Sequence, residues 1–221
     1  IDIENLGIIP IVNSGGWGFY HVFYDDDMFN KILDNFNNLD DLEKYRLLED
    51  RWMQFRKSSD ELQENDVVNF LKFLLYFRYE RDEDVWMYMA SIISTLASII
   101  NEKDLENFKK FVDELTLPLS EELGVEVKPG EDTETKELRD LINKLRAKSL
   151  EDPSFINYFS EVFNSEDFES ITEGSYFSTV LYIAALDESN KVQTFLDKFI
   201  NAPSPQLQGR YRSILGVIKD K

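Results

Sequence analysis

The chain has 221 residues, 43% hydrophobic and 14% aromatic, with no cysteine and a single histidine. That composition is globular and large enough to bury a substantial core, while the missing thiols exclude disulfides, thiolate zinc sites and a cysteine nucleophile. A formal net charge of −19 removes nucleic acid and anionic membranes from the expected partners, because both demand a basic footprint.

The opening residues carry two acids and no basic n-region, so they are not a signal peptide. A first residue Ile1 leads to the expectation of a processed or chosen boundary. No Asn-x-Ser/Thr sequon occurs, which points to the cytoplasm as the expected compartment. Residues 8–13 and 19–24 read as two short strands around the glycine turn Asn13-Ser14-Gly15-Gly16-Trp17-Gly18, where glycine supplies positive φ. Residues 1–25 therefore form a short strand or hairpin segment leading into a helical domain over residues 26–221.

After Asp25 the apolar period changes from two to about 3.6 and does not return. Asp25-Asp26-Asp27 opens the first helix, with Met28, Ile32, Leu33 and Phe36 on one stripe. The three carboxylates suit the positive end of a helix dipole, and the alternating ligands and central glycine of a calcium loop are missing. Asp40-Asp41-Leu42-Glu43 has capping-box spacing and starts a second helix carrying Leu42, Tyr45, Leu48, Trp52 and Phe55. A third runs from about Asn65 to Arg78. The aromatics Phe70, Phe73, Tyr76 and Phe77 there read as core and interface packing. A fourth follows Asp82-Glu83-Asp84 with Trp86, Met89, Ile93, Leu96 and Ile100. Residues 85–100 form the longest low-charge stretch, shorter than the roughly 20 residues of a membrane span and containing hydroxyls.

The fifth helix carries Leu105, Phe108, Val112 and Leu115, and Leu117-Pro118-Leu119 is expected to interrupt or kink it. Residues 124–130 form the clearest loop. A sixth helix follows with Leu138, Leu141, Ile142 and Leu145. Asp152-Pro153 and Ser204-Pro205 each place proline directly after an N-cap and start the seventh and last helices. Residues 176–186 and 192–200 form the pair between them. The expected fold is all-α: stacked antiparallel helix pairs in an armadillo- or HEAT-like superhelical array, without a strict sequence period.

Chemistry is hard to place on this chain. A zinc peptidase needs several imidazoles, and a serine hydrolase needs a base beside a nucleophile elbow; His21 stands alone, with no Gly-x-Ser-x-Gly or His-Glu-x-x-His motif. With 43 acidic residues, adjacent carboxylates carry almost no information about a glycosidase pair. The glycine turn lacks the lysine and the following helix of a phosphate loop. No catalytic, cofactor or metal residue is assigned to this chain.

The run from Asn13 to Asp25 resembles the Asn-x-x-x-x-Gly-Phe/Tyr-Tyr-Arg-Val-x-Tyr-Asp signature of zinc aminopeptidases of the aminopeptidase N, puromycin-sensitive and tricorn-interacting-factor type. His21 stands at the usual arginine position, so the ion pair of that arginine is not carried over. Tyr45 to Trp52, the acidic corner Arg78 to Trp86, and Ser204-Pro205-Gln206-Leu207-Gln208-Gly209-Arg210-Tyr211 resemble later segments of the same C-terminal helical domain, in the same order. The resemblance implies a non-catalytic, truncated domain that encloses an active site and controls peptide access. It also implies zinc in the parent's catalytic domain, that domain and its peptide substrates as partners, and no nucleic acid or membrane. Trp17, Tyr20 and His21 are the interface candidates, with Trp17, Phe19 and Tyr20 expected to bury against the helices or a neighbouring domain. The competing expectation is an independent helical adaptor that binds a partner protein.

Overall fold

A computed structural model describes residues 11–57, 64–171, 174–187, 192–216 and 218. Among them the regular structure is helical: α1 (Asp26–Asp34), α2 (Asp41–Lys57), α3 (Glu64–Leu74), α4 (Glu83–Ile99), α5 (Leu105–Leu123), α6 (Thr133–Leu150), α7 (Pro153–Asn164), α8 (Gly174–Ala184), α9 (Val192–Ile200) and α10 (Pro205–Ile214). No helix among the described residues is long and apolar enough to cross a membrane. The chain divides into two compact units, residues 1–99 and 100–221.

The helix starts follow the capping chemistry in the sequence. Asp25 accepts from the Met28 amide at 2.8 Å, and Asp82 accepts from Val85 at 2.9 Å. Asp40 and Glu43 form a reciprocal capping box: the Glu43 amide donates to Asp40 at 2.8 Å and the Asp40 amide to Glu43 at 3.2 Å. Asp132, Asp152 and Ser204 cap α6, α7 and α10 in the same way, with Pro153 and Pro205 opening the last two. Gly124 and Gly130 sit at φ 72° and 85°, which ends α5 and turns the loop before α6.

In the first unit, α2 packs against α4 over Leu47, Leu48, Trp52, Trp86, Met89 and Ile93, all buried. α1 and α3 add an aromatic cluster in which Phe73 meets Phe29 at 5.2 Å and Phe77 at 5.4 Å, edge to face. In the second unit α5 packs on α6, α6 and α7 on α8, and α10 on α9 and α8. Its distal core is also aromatic: Phe163 stacks on Phe195 at 4.7 Å and Phe168 on Phe177 at 4.4 Å. These packed helix pairs are the all-α architecture the periodicity predicts.

Two local expectations are not borne out as stated. No strand occurs among the described residues: residues 11–13 turn, Ser14–Gly16 is a short 3-10 turn, and residues 21–25 run without a ladder partner. Residues 8–10 of the first expected strand lie outside the described residues. Backbone amides of this segment find side chains instead, Val12 on the Tyr24 hydroxyl and Val22 on Asp50. Pro118 does not interrupt α5, which runs through it to Leu123. Leu115, Leu119 and Leu123 are buried on either side of it.

Candidate functional surfaces of the first unit

The N-terminal segment lies along α2 and is held there by polar contacts. Asn13, at φ 63°, closes the glycine turn with its side chain: Nδ2 donates to the Gly18 carbonyl at 3.0 Å and Oδ1 accepts from the Gly18 backbone amide at 2.7 Å. Ser14 donates to Glu43 at 2.8 Å. Arg46 donates to the Gly16 carbonyl at 3.4 Å and pairs with Glu49 at 2.7 Å. Gly16 is needed twice over, because its φ is 67° and a Cβ there would stand 3.0 Å from the Arg46 Nε.

His21 Nδ1 lies 2.8 Å from Asp50 Oδ1. Burial raises the Asp50 carboxyl above its usual range, while His21 and the Val22 amide pull it back. Tyr24 accepts from the Val12 amide at 3.0 Å, and its hydroxyl is also raised by burial. His21 is therefore hydrogen-bonded to α2 through Asp50.

Trp17, Phe19 and Tyr20 do not bury against the helices. They are 87%, 107% and 56% exposed. The segment meets α2 through Glu43, Arg46 and Asp50, which supply hydrogen bonds and charge. The segment docks through its polar groups and leaves its rings outward. Trp17, Tyr20 and His21 share this segment, and His21 reaches α2 through its contact with Asp50.

At the start of α4, Glu80 is buried and shaped by four contacts. Lys44 Nζ approaches its Oε2 at 2.7 Å, and the Arg81 and Asp82 amides donate to Oε1 at 2.7 and 3.1 Å. The fully buried Trp86 indole donates to the Glu80 carbonyl at 2.7 Å. Burial acts to raise the Glu80 carboxyl, but Lys44 and the two amides outweigh it and hold it below its usual range.

Beside this corner an open groove of about 730 Å³ runs between the first turns of α2 and α4. Leu42, Tyr45, Met87 and Tyr88 line it together with Asp41, Asp82, Asp84 and Ser91. Leu42 and Met87 are 44% and 49% exposed, and the Tyr45 and Tyr88 rings meet at 5.4 Å. The groove escaped sequence reading because its two walls lie some forty residues apart. The only local signal was Leu42, an apolar residue in a helix's first turn.

The second unit holds its polar groups inside. Arg139, fully buried, donates to the Leu123 carbonyl at 3.1 Å and pairs with Glu131. Asp140 sits buried beside Ser175, Thr179 and Lys144, and burial raises its carboxyl above the usual range. These side chains tie α6 to the end of α5 and to α8. Among the described residues, no three His, Cys, Asp or Glu are grouped as a metal ion would need.

Within each unit the described residues thus form packed helix pairs. A model of the ERAP1-like C-terminal domain family matches residues 10–221, and the chain belongs to that family, the C-terminal domain of aminopeptidases. No curated protein sequence matches the chain.

Proposed function

We propose that this chain is the non-catalytic domain that encloses the active site of a cytoplasmic, zinc-dependent aminopeptidase and controls peptide access to it. The family match across residues 10–221 carries this reading. The exposed Trp17, Phe19 and Tyr20 support it: three large rings set out by a stapled turn are what a neighbouring catalytic domain would cover.

The chain has one imidazole, His21, whereas a catalytic zinc calls for several nitrogen ligands. The metal is therefore assigned to the parent's catalytic domain, where it would activate water and polarise the scissile carbonyl. The helical domain contributes by enclosure. Closing over a substrate excludes water, and opening sets entry and release.

Reading the parent gene around these 221 codons tests the proposal. A His-Glu-x-x-His segment upstream in the same frame is the expected result. A start codon close to Ile1 with no such motif would support the adaptor instead. Turnover of aminoacyl-coumarin substrates by the isolated chain, abolished by His21→Ala, would also overturn the proposal.

A further inference from the structure

We propose that the groove between α2 and α4 holds a lysine- or arginine-bearing stretch of an extended peptide, with the cationic head among Asp41, Asp82 and Asp84 and the stem against Leu42, Met87, Tyr45 and Tyr88. The inference rests on the enclosing-domain reading above and names the peptide chemistry at one site within it.

Size and lining come first. About 730 Å³ lies within the range of sites that take small ligands or short peptide stretches, and it is too large for a lone ion. The groove's body is apolar and aromatic, which suits the hydrocarbon stem of lysine or arginine. The Tyr45 and Tyr88 rings, tilted against each other 5.4 Å apart, add aromatic surface to this lining.

Charge decides the sign of the occupant. Asp82 spends one oxygen capping α4, and Asp41 has only a 3.6 Å contact with Lys44. Lys44 is itself committed to Glu80 at 2.7 Å, so those two charges cancel. The N-termini of α2 and α4 both reach the groove, and each carries roughly half a positive charge. Three carboxylates against about one unit from the helix ends leave the groove negative by about two charges. Burial first, and Glu49 and Tyr45 after it, push the Tyr88 hydroxyl up to about 12. An acidic peptide would be repelled here, and a purely apolar one would leave the carboxylates without partners.

The test uses the full 221-residue chain and a fluorescein-labelled peptide with a Leu-Lys-Leu-Lys centre, alongside the same peptide with glutamine for lysine. Anisotropy at low salt should show the lysine peptide binding at least ten-fold more tightly. The double variant Asp41→Asn, Asp84→Asn should weaken it by about ten-fold, the sum of two partly exposed ion pairs. Met87→Lys, at an exposed position, should abolish it. Because the whole chain is acidic, Asp26→Asn, Asp27→Asn on α1 is the control and should leave binding unchanged.

Equal binding of the glutamine peptide would overturn the proposal. So would undiminished binding by groove variants of unchanged melting temperature, equal loss in the α1 control, or no lysine-peptide binding by folded chain. If a His-Glu-x-x-His motif is found upstream and the groove fails these tests, only the groove assignment falls.

Discussion

Glu80 and Lys44 are joined by a 2.7 Å ion pair in which the carboxylate is 5% exposed and the ammonium 16%. The pair links the acidic corner before α4 to the first turns of α2, and the Trp86 indole fixes the same residue through its carbonyl. One side chain thus sets where both helices begin relative to each other.

Glu80→Ala should destabilise the first unit by about 3 kcal/mol, since it strips a buried partner from Lys44 and frees two amides. Glu80→Gln keeps an acceptor for the amides and should cost less. The pH dependence has a definite sign. A carboxyl held below its unfolded value of about 4.3 gives stability that is complete above that pH and lost as pH falls through the folded value. Urea melts of wild type and Glu80→Gln should therefore draw closer together as the pH falls below about 4.3. Parallel curves would contradict this.

The His21–Asp50 contact should act as a latch for the N-terminal segment. Asp50 accepts from the Val22 amide as well as facing His21, so Asp50→Ala should speed hydrogen exchange at Val22 and leave α4 amides protected. A double-mutant cycle with His21→Ala should give a coupling of about 1 kcal/mol, as for a partly exposed hydrogen-bonded pair. Zero coupling would mean that the segment is held by Asn13, Ser14 and Arg46 alone.

The helices were legible because their starts are written in local chemistry: Asp25, Asp40, Asp132, Asp152 and Ser204 each accept from an amide two or three residues on. The first segment misled because Phe19 to Tyr24 alternates like a strand, while alternation says nothing about whether a partner edge exists. Val22 and Val12 instead satisfy their amides on Asp50 and the Tyr24 hydroxyl. The groove was hidden for a different reason. Its carboxylates are ordinary first-turn acids until α2 and α4 are brought together.

Arg139 was equally hidden, sitting one place off the Leu138, Ile142 and Leu145 stripe. Because it is fully buried and bonded to both Leu123 and Glu131, Arg139→Met should cost at least about 3 kcal/mol. Arg139→Lys should not rescue it, since one ammonium lacks the planar fork that serves two partners. Thermal melts of the three forms would show a lysine variant close to the methionine one; near-wild-type behaviour would refute the two-partner account.

Pro118 gives the sharpest separation of local from tertiary effects. Having no N–H, it leaves the Glu114 carbonyl without its helical donor, a defect worth about 3 kcal/mol in an exposed helix. α5 nevertheless continues, and α6 supplies a reason: Arg146 donates to Thr116 and to Asp113, each at 2.8 Å, strapping α5 one turn before the proline. Thr116 in turn donates to the Val112 carbonyl at 2.7 Å. Pro118→Ala should therefore stabilise the second unit by about 1–2 kcal/mol, the regained hydrogen bond less the extra entropy given to the unfolded chain. It should also make Arg146→Ala less damaging, because a helix that no longer has a gap depends less on its strap. A stability change of zero, or an unaltered cost for Arg146→Ala, would show that α5 tolerates the proline through its buried leucines alone.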